Sequence, residues 1–254
     1  MPDPGTPSDP TRVLALLWGP QTKTGRSGLS VKTIVRAAIT LADQHGIEAV
    51  SMRRVADHLS VGTMSLYTHV PGKPELTELM IDTVYGELYG DADQCPRSPA
   101  WREGLTLVAE THWAMLHRHP WLLDIPTTRP VLGPNGTRKY NADLQVLDGI
   151  GLTDVEMDAA LTLVLTHVEG SARLAINQTR ERRNSGVTDE EWWTVNAPLL
   201  EQVMDARRFP VASRVGQAAG AAHGAAVNPD LTFRFGLTCL LDGLGVLLEG
   251  RRQA

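Results

Sequence analysis

Residues 51–70 read SMRRVADHLSVGTMSLYTHV. Ser51 is placed to cap a helix on which Val55, Ala56 and Leu59 share one side. Ser60, Val61 and Gly62 leave room only for a tight turn. A further helix from about Thr63 to His69 turns Leu66 inward with Val55, Leu59 and Val61. It leaves Thr63, Met64, Ser65, Tyr67, Thr68 and His69 at or near its outer face. A bracing helix, a short turn and a second helix with a polar outer face make a helix-turn-helix. Small and hydrogen-bonding side chains on that face can approach base edges and phosphates in a major groove. Arg53 and Arg54 open the bracing helix, whose free N–H groups already attract phosphate, and Lys73 opens the next helix. The competing reading is a plain corner between two helices.

Outward from this unit the pattern stays helical. Ser30 caps a helix carrying Ile34, Val35, Ala38 and Leu41, closed at His45-Gly46. Pro71-Gly72 breaks the chain before a helix from Lys73 or Pro74 to about Tyr89. Thr11–Trp18 has the apolar density of a short helix, stopped by Gly19-Pro20, and residues 21–28 form a basic linker. Further helices are expected over 101–119, 135–148, 153–183 (capped by Thr153), 189–205 and 229–250. Residues 211–227, rich in Ala and Gly, read as a loop or a weak helix. No alternating strand pattern and no repeat is found. The chain is read as all-α.

The 254-residue chain carries a formal charge of −5, unevenly spread. Residues 21–74 hold seven Lys/Arg against three acidic residues. From residue 75 onward sixteen basic residues face twenty-four acidic ones. A basic head on an acidic body points to a polyanion for the head alone, unless it is ordinary scatter of surface charge. Cys95 and Cys239 are far apart, suggesting neither a zinc site nor a disulfide framework, and a reducing cytoplasm is expected. No uninterrupted apolar run of about 18 residues occurs, so no membrane span is expected. The N-terminus lacks the pattern of a signal peptide.

The run from Leu29 to Leu88, with an alanine-rich helix ending His45-Gly46 and then SMRRVADHLSVGTMSLYTHVPGKPEL, resembles the DNA-binding head of the TetR (tetracycline repressor) family. HRHPWLL (117–123), LGPNG (132–136), DEEWW (189–193) and FRFGLTCLLDGLGVLL (233–248) extend the likeness to its C-terminal domain. The resemblance implies a three-helix DNA-binding domain at 29–74 after an extension at 1–28. A ligand-binding and dimerisation domain follows at 75–254, with 75–90 as connecting helix. It implies a homodimer on a palindromic operator in double-stranded DNA, acting as a repressor that a small-molecule inducer releases. An activator, or a regulator without ligand, stays open. Carried over position by position, Arg53, Thr63, Met64, Ser65, Tyr67, Thr68 and His69 are the expected DNA contacts, with Lys73 on phosphate. Thr68 stands where a bulkier or basic residue is common. Lys23 and Arg26 either reach DNA as a basic arm or belong to a tail without a role.

The body holds no sharp chemical motif. Trp113, His117, Thr166, His167, Arg173 and Asn177 are the pocket candidates that the resemblance implies; most of the tryptophans read as core. His112, His117 and His119 lie close in sequence. His112 and His117 are five residues apart, and no carboxylate partner is evident, so no metal and no cofactor are expected. The last helix is apolar nearly all round, which means burial, either by a second subunit, a natural cover at a chain end, or as an internal core helix. Leu161, Leu165, Leu237, Leu241, Leu244 and Leu248 are the expected dimer residues, and Gly236, Gly243 and Gly245 permit close helix approach. No GxSxG, P-loop, HExxH or dinucleotide fingerprint occurs, so an enzyme is not expected.

Overall fold

In the computed structural model, which describes residues 10–19, 29–89, 100–126 and 129–253, eleven α-helices carry the described residues, and no strand occurs among them. They are α1 (Pro10–Trp18), α2 (Val31–His45), α3 (Met52–His58), α4 (Thr63–Tyr67), α5 (Lys73–Tyr85), α6 (Trp101–Arg118), α7 (Pro134–Gln145), α8 (Asp154–Ser185), α9 (Asp189–Val203), α10 (Pro210–His223) and α11 (Pro229–Arg252). Single 3₁₀ turns lie at Ile47–Ala49 and Pro120–Asp124. Cys95, Lys23 and Arg26 lie outside the described residues.

The caps expected from sequence set the ends of the head helices. Ser30 Oγ accepts from Thr33 N at 3.2 Å and opens α2; Gly46, at φ +81°, closes it. Ser51 Oγ accepts from Arg54 N at 3.2 Å and opens α3. Ile34, Val35, Ala38, Val55, Ala56, Leu66 and Val70 are all buried. Each larger side chain among them contributes about 1.5–3 kcal/mol by leaving water. The turn from α3 to α4 is tight because Ser60 takes the left-handed conformation at φ +55°. Val61 N can then return to Ala56 O at 3.0 Å and satisfy a free carbonyl of α3.

The chain divides into two compact units, one running to Thr162 and including the last residues from Arg251, the other Leu163–Gly250. In the first unit α5 packs against α2, α7 and α1. Asp82 of α5, almost fully buried, caps α7: its Oδ1 accepts from Asn135 N at 3.1 Å and Gly136 N at 2.9 Å, its Oδ2 from Asn135 Nδ2 at 3.1 Å. A carboxylate at a helix N-terminus satisfies free N–H groups and meets the favourable end of the helix dipole. Burial nevertheless leaves the Asp82 carboxyl above its ordinary range, against the lowering effect of those bonds. Arg251 donates to Gly151 O at 3.0 Å and pairs with Glu156, whose carboxyl it holds well below the ordinary range.

In the second unit α8 and α11 touch closely. His167 Nε2 donates to Phe233 O at 2.9 Å, and its ring lies parallel to that of Phe233 at 6.1 Å. A Cβ on Gly236 would come within 2.2 Å of the same ring, so only glycine fits there. At Gly243 nothing crowds the backbone.

Two expectations are sharpened. Residues 211–227, open between loop and weak helix, are helical as far as His223, within α10. Its Ala and Gly side chains blur the apolar period, but Gly220 fits beneath the indole of Trp193, which a Cβ would approach to 2.5 Å. The last helix bears on the expectation about apolar runs. Over an 18-residue window α11 has a mean hydropathy of 1.6, long and apolar enough to cross a membrane by length and composition. Arg234 and Asp242 interrupt the run in sequence, and each would be costly within hydrocarbon.

Candidate functional site

The outer surface of the helix-turn-helix is polar and open. Met64 is 77% exposed and Tyr67 40%, while Leu66 between them is fully buried and anchors α4 to the head core. Ser65 and Thr68 are exposed, Thr63 and His69 half-buried. Thr68 Oγ1 donates to Ser65 O at 2.7 Å, which leaves the Thr68 oxygen free to accept. Arg53 lies on the same α3–α4 unit, 86% exposed, at 4.0 Å from Asp57. An exposed pair of that length is weak and can be exchanged for a phosphate. Lys73 differs from the sequence reading. It is half-buried, and its Nζ donates to Ile47 O at 3.3 Å, tying the start of α5 to the head.

Behind this surface stands a polar joint that local sequence did not reveal. His119 is buried after α6, with Nδ1 at 2.7 Å from Asp43 Oδ1 of α2 and Nε2 at 3.1 Å from Glu87 Oε2 beyond α5. Trp121 Nε1 donates to the same Asp43 oxygen at 2.7 Å. The head is thus fastened to the segment between α6 and α7 through one carboxylate and two donors.

A second buried network joins the chain after α5 to α6 and α7. Asp143 is fully buried and accepts from Tyr89 Oη; Lys139 Nζ lies 2.9 Å from its other oxygen, and His112 Nε2 lies 3.3 Å away. Burial pushes the Asp143 carboxyl up, but His112, Lys139 and Tyr89 together hold it below the ordinary range. Burial is the main reason His112 is pushed below its ordinary value. Two of the three histidines considered for metal therefore do have carboxylate partners, Asp143 for His112 and Asp43 with Glu87 for His119. Those partners lie 31, 76 and 32 positions away in sequence. His117 donates instead to Trp113 O at 2.8 Å. Among the described residues no cluster suited to a metal ion is found.

The pocket candidates fall into separate places. The rings of Trp113 and His117 stand 4.4 Å apart in the first unit, His117 exposed. In the second unit Thr166 and Arg173 are exposed, and His167 is spent on the α8–α11 contact. Asn177 lines a cleft of about 440 Å³ together with Leu174, Gln178, Glu181, Arg182 and Trp192. A smaller cleft of about 310 Å³ in the first unit is lined by Glu87, Glu110, Thr111, Ala114 and Arg118, among others.

The expected dimer residues turn inward for the most part. Leu161, Leu237, Leu241 and Leu248 are buried within the chain itself, and Leu165 and Leu244 are half-buried. The outward apolar side chains include Leu163 (54% exposed) on α8 and Phe235 (68%), Val246 (70%) and Leu247 (46%) on α11.

Comparison with known proteins agrees with this architecture. Residues 34–80 match the family described as bacterial regulatory proteins, tetR family, and residues 95–248 match the tetracyclin repressor-like C-terminal domain. The HTH-type transcriptional repressor DrrR1 of Streptomyces coeruleorubidus is 38% identical over 96% of this chain and 88% of its own length. The crystal structure of apo ActR from Streptomyces coelicolor superposes with a TM-score of 0.69 at 26% identity, covering 88% of this chain and 98% of ActR. ActR in complex with actinorhodin gives 0.68 at 28% identity, covering 85% and 95%. With a helix-turn-helix head and a helical body both matched, and a relative this similar along almost its whole length, the chain belongs to the TetR family of transcriptional regulators.

Proposed function

We propose that the protein is a repressor that binds a palindromic operator as a homodimer and leaves it when a small molecule enters the body. The observation that carries the reading is α4, anchored by the buried Leu66 and presenting Thr63, Met64, Ser65, Tyr67, Thr68 and His69 outward. Arg53 supplies charge beside it, where backbone phosphates fix register while the α4 side chains read bases. Lys73 contributes by setting α5 against Ile47, and reaches phosphate only if that bond is exchanged. After the extension at 1–28, residues 29–74 form the DNA-binding head and 75–254 the ligand-binding and dimerisation body, with 75–90 as its connecting helix. Cytoplasmic residence follows from the same reading, since the operator is there.

The repressor character rests on likeness to DrrR1, and the ligand on likeness to ActR, which binds actinorhodin. Trp113, His117, Thr166, Arg173 and Asn177 remain the pocket candidates. The dimer face comprises Leu163, Phe235, Val246 and Leu247, whose exposure a partner copy would end. A gel shift with DNA from upstream of the gene tests the reading, followed by addition of candidate small molecules with actinorhodin as first probe. Specific binding abolished by a compound supports it. Binding of no duplex at moderate salt overturns it.

A further inference from the structure

The N-terminal helix α1 precedes the region that matches the family, which begins at residue 34. A helix of nine residues does not persist in water by itself, so its order comes from what it touches. Val13 and Leu17 are buried, 5% exposed each, and α1 packs on α5. At its last residue Trp18 Nε1 donates to Leu132 O at 2.8 Å. The Trp18 ring is 58% exposed, so the indole is present for its N–H more than for burial. Leu132 leads directly into Gly133 and α7, whose N-terminus the Asp82 carboxylate of α5 already caps. Contacts α1–α5, α1–Leu132 and α5–α7 therefore close a three-way junction. The crowding agrees: a Cβ on Gly133 would meet Asp82 Oδ1 at 2.1 Å, and one on Gly86 would meet Asn135 at 3.0 Å.

We propose that α1 is an intramolecular strap that holds α5 against the lead-in of α7, with Trp18 as its positioning residue. The inference rests on the reading that 75–90, which include α5, connect the ligand-binding body to the DNA-binding head, so that α5 moves when a ligand enters. To swing independently of α7, α5 must leave Asn135 and Gly136, and Leu17 on α5 and Trp18 on Leu132 cannot then both stay seated. The strap thus biases the head toward one arrangement, and undocking it releases α5 without any ligand.

The test uses the full chain as wild type, Leu17→Asp and Trp18→Phe, followed by hydrogen exchange and mass spectrometry. Leu17→Asp is expected to raise exchange about tenfold or more in both α5 and 132–136, with α9 to α11 unchanged. Trp18→Phe keeps an exposed ring and loses only the donor, so it folds if the wild type does. It is expected to raise exchange several-fold at 132–136. Free exchange of α1 itself in Leu17→Asp, with α5 and 132–136 as protected as in wild type, overturns the strap. So does an unchanged 132–136 segment in Trp18→Phe. Dissociation from the upstream duplex, measured on the same proteins, is expected to be faster in Leu17→Asp. If the wild type binds no duplex but the exchange pattern changes as stated, the regulator reading fails and the strap stands.

Discussion

His119 Nδ1 sits 2.7 Å from Asp43 Oδ1, joining the turn after α6 to the first helix of the DNA-binding head. Both residues gain from the contact, since His119 is buried and Asp43 accepts from Trp121 as well. Truncation would leave the Asp43 carboxylate with Trp121 as donor and Glu87 paired with Arg118 at 3.5 Å. His119→Ala is expected to lower stability by about 2 kcal/mol, below the cost of breaking a fully buried pair because both carboxylates are partly exposed. Urea denaturation measures that loss. Operator affinity should fall further than the fraction unfolded explains, since the head loses its seat; a loss of stability alone would show that the joint does not position the head.

The buried His112 gives the protein a defined acid sensitivity. Its folded value lies below the ordinary one near 6.5, so the unfolded chain binds the proton first as pH falls. The stabilisation is complete above about pH 7 and declines as pH drops through the range of an unfolded histidine. Asp143, lowered in turn, adds a further loss at pH values below the ordinary carboxylate range. Stability measured at pH 7.5, 6 and 5 should fall, and His112→Gln should flatten that slope. An equally steep slope in the variant would remove His112 from the account.

Ser60 pays backbone strain to make the turn between α3 and α4, at φ +55° without a glycine. Ser60→Gly is expected to raise stability by about 1 kcal/mol, as glycine enters this region freely. Its effect on operator affinity should be small, because the turn keeps its shape. Thermal melting and anisotropy titration check the two parts separately.

The outward apolar residues of α11 predict the oligomeric state. Phe235→Asp or Val246→Asp should convert a dimer to a monomer in sedimentation at micromolar concentration, while the helical signal is retained. Leu241→Asp should instead unfold the chain, because Leu241 is already buried within it. If Phe235→Asp remains dimeric, the interface lies elsewhere.

Much of the fold was legible because caps and apolar periods are local. Ser30, Ser51 and Thr153 mark helix starts within a few residues, and Val55 and Leu66 lie where their period puts them. What escaped is non-local or lacks a period. Apart from Lys139, one turn before Asp143, the partners of Asp82, Asp143 and His119 are 31 to 76 positions away, with nothing nearby to announce them. A helical period also cannot say which side of an all-round apolar helix turns inward: on α11 Leu237 and Leu241 are buried and Phe235 and Val246 exposed. Lys73 looked like a free cation because its acceptor is a backbone carbonyl, at Ile47.

The central claim is that the outer face of α4 reads DNA. Fluorescence anisotropy should compare a duplex from upstream of the gene with a scrambled duplex, at several salt concentrations, for the wild type, Tyr67→Ala and Arg53→Ala. The wild type is expected to prefer the upstream duplex and to weaken steeply with salt. Tyr67→Ala should lose about tenfold or more on that duplex at unchanged melting temperature, and Arg53→Ala should weaken both duplexes alike. Equal binding of the two duplexes by the wild type, or full affinity in Tyr67→Ala, would contradict the claim.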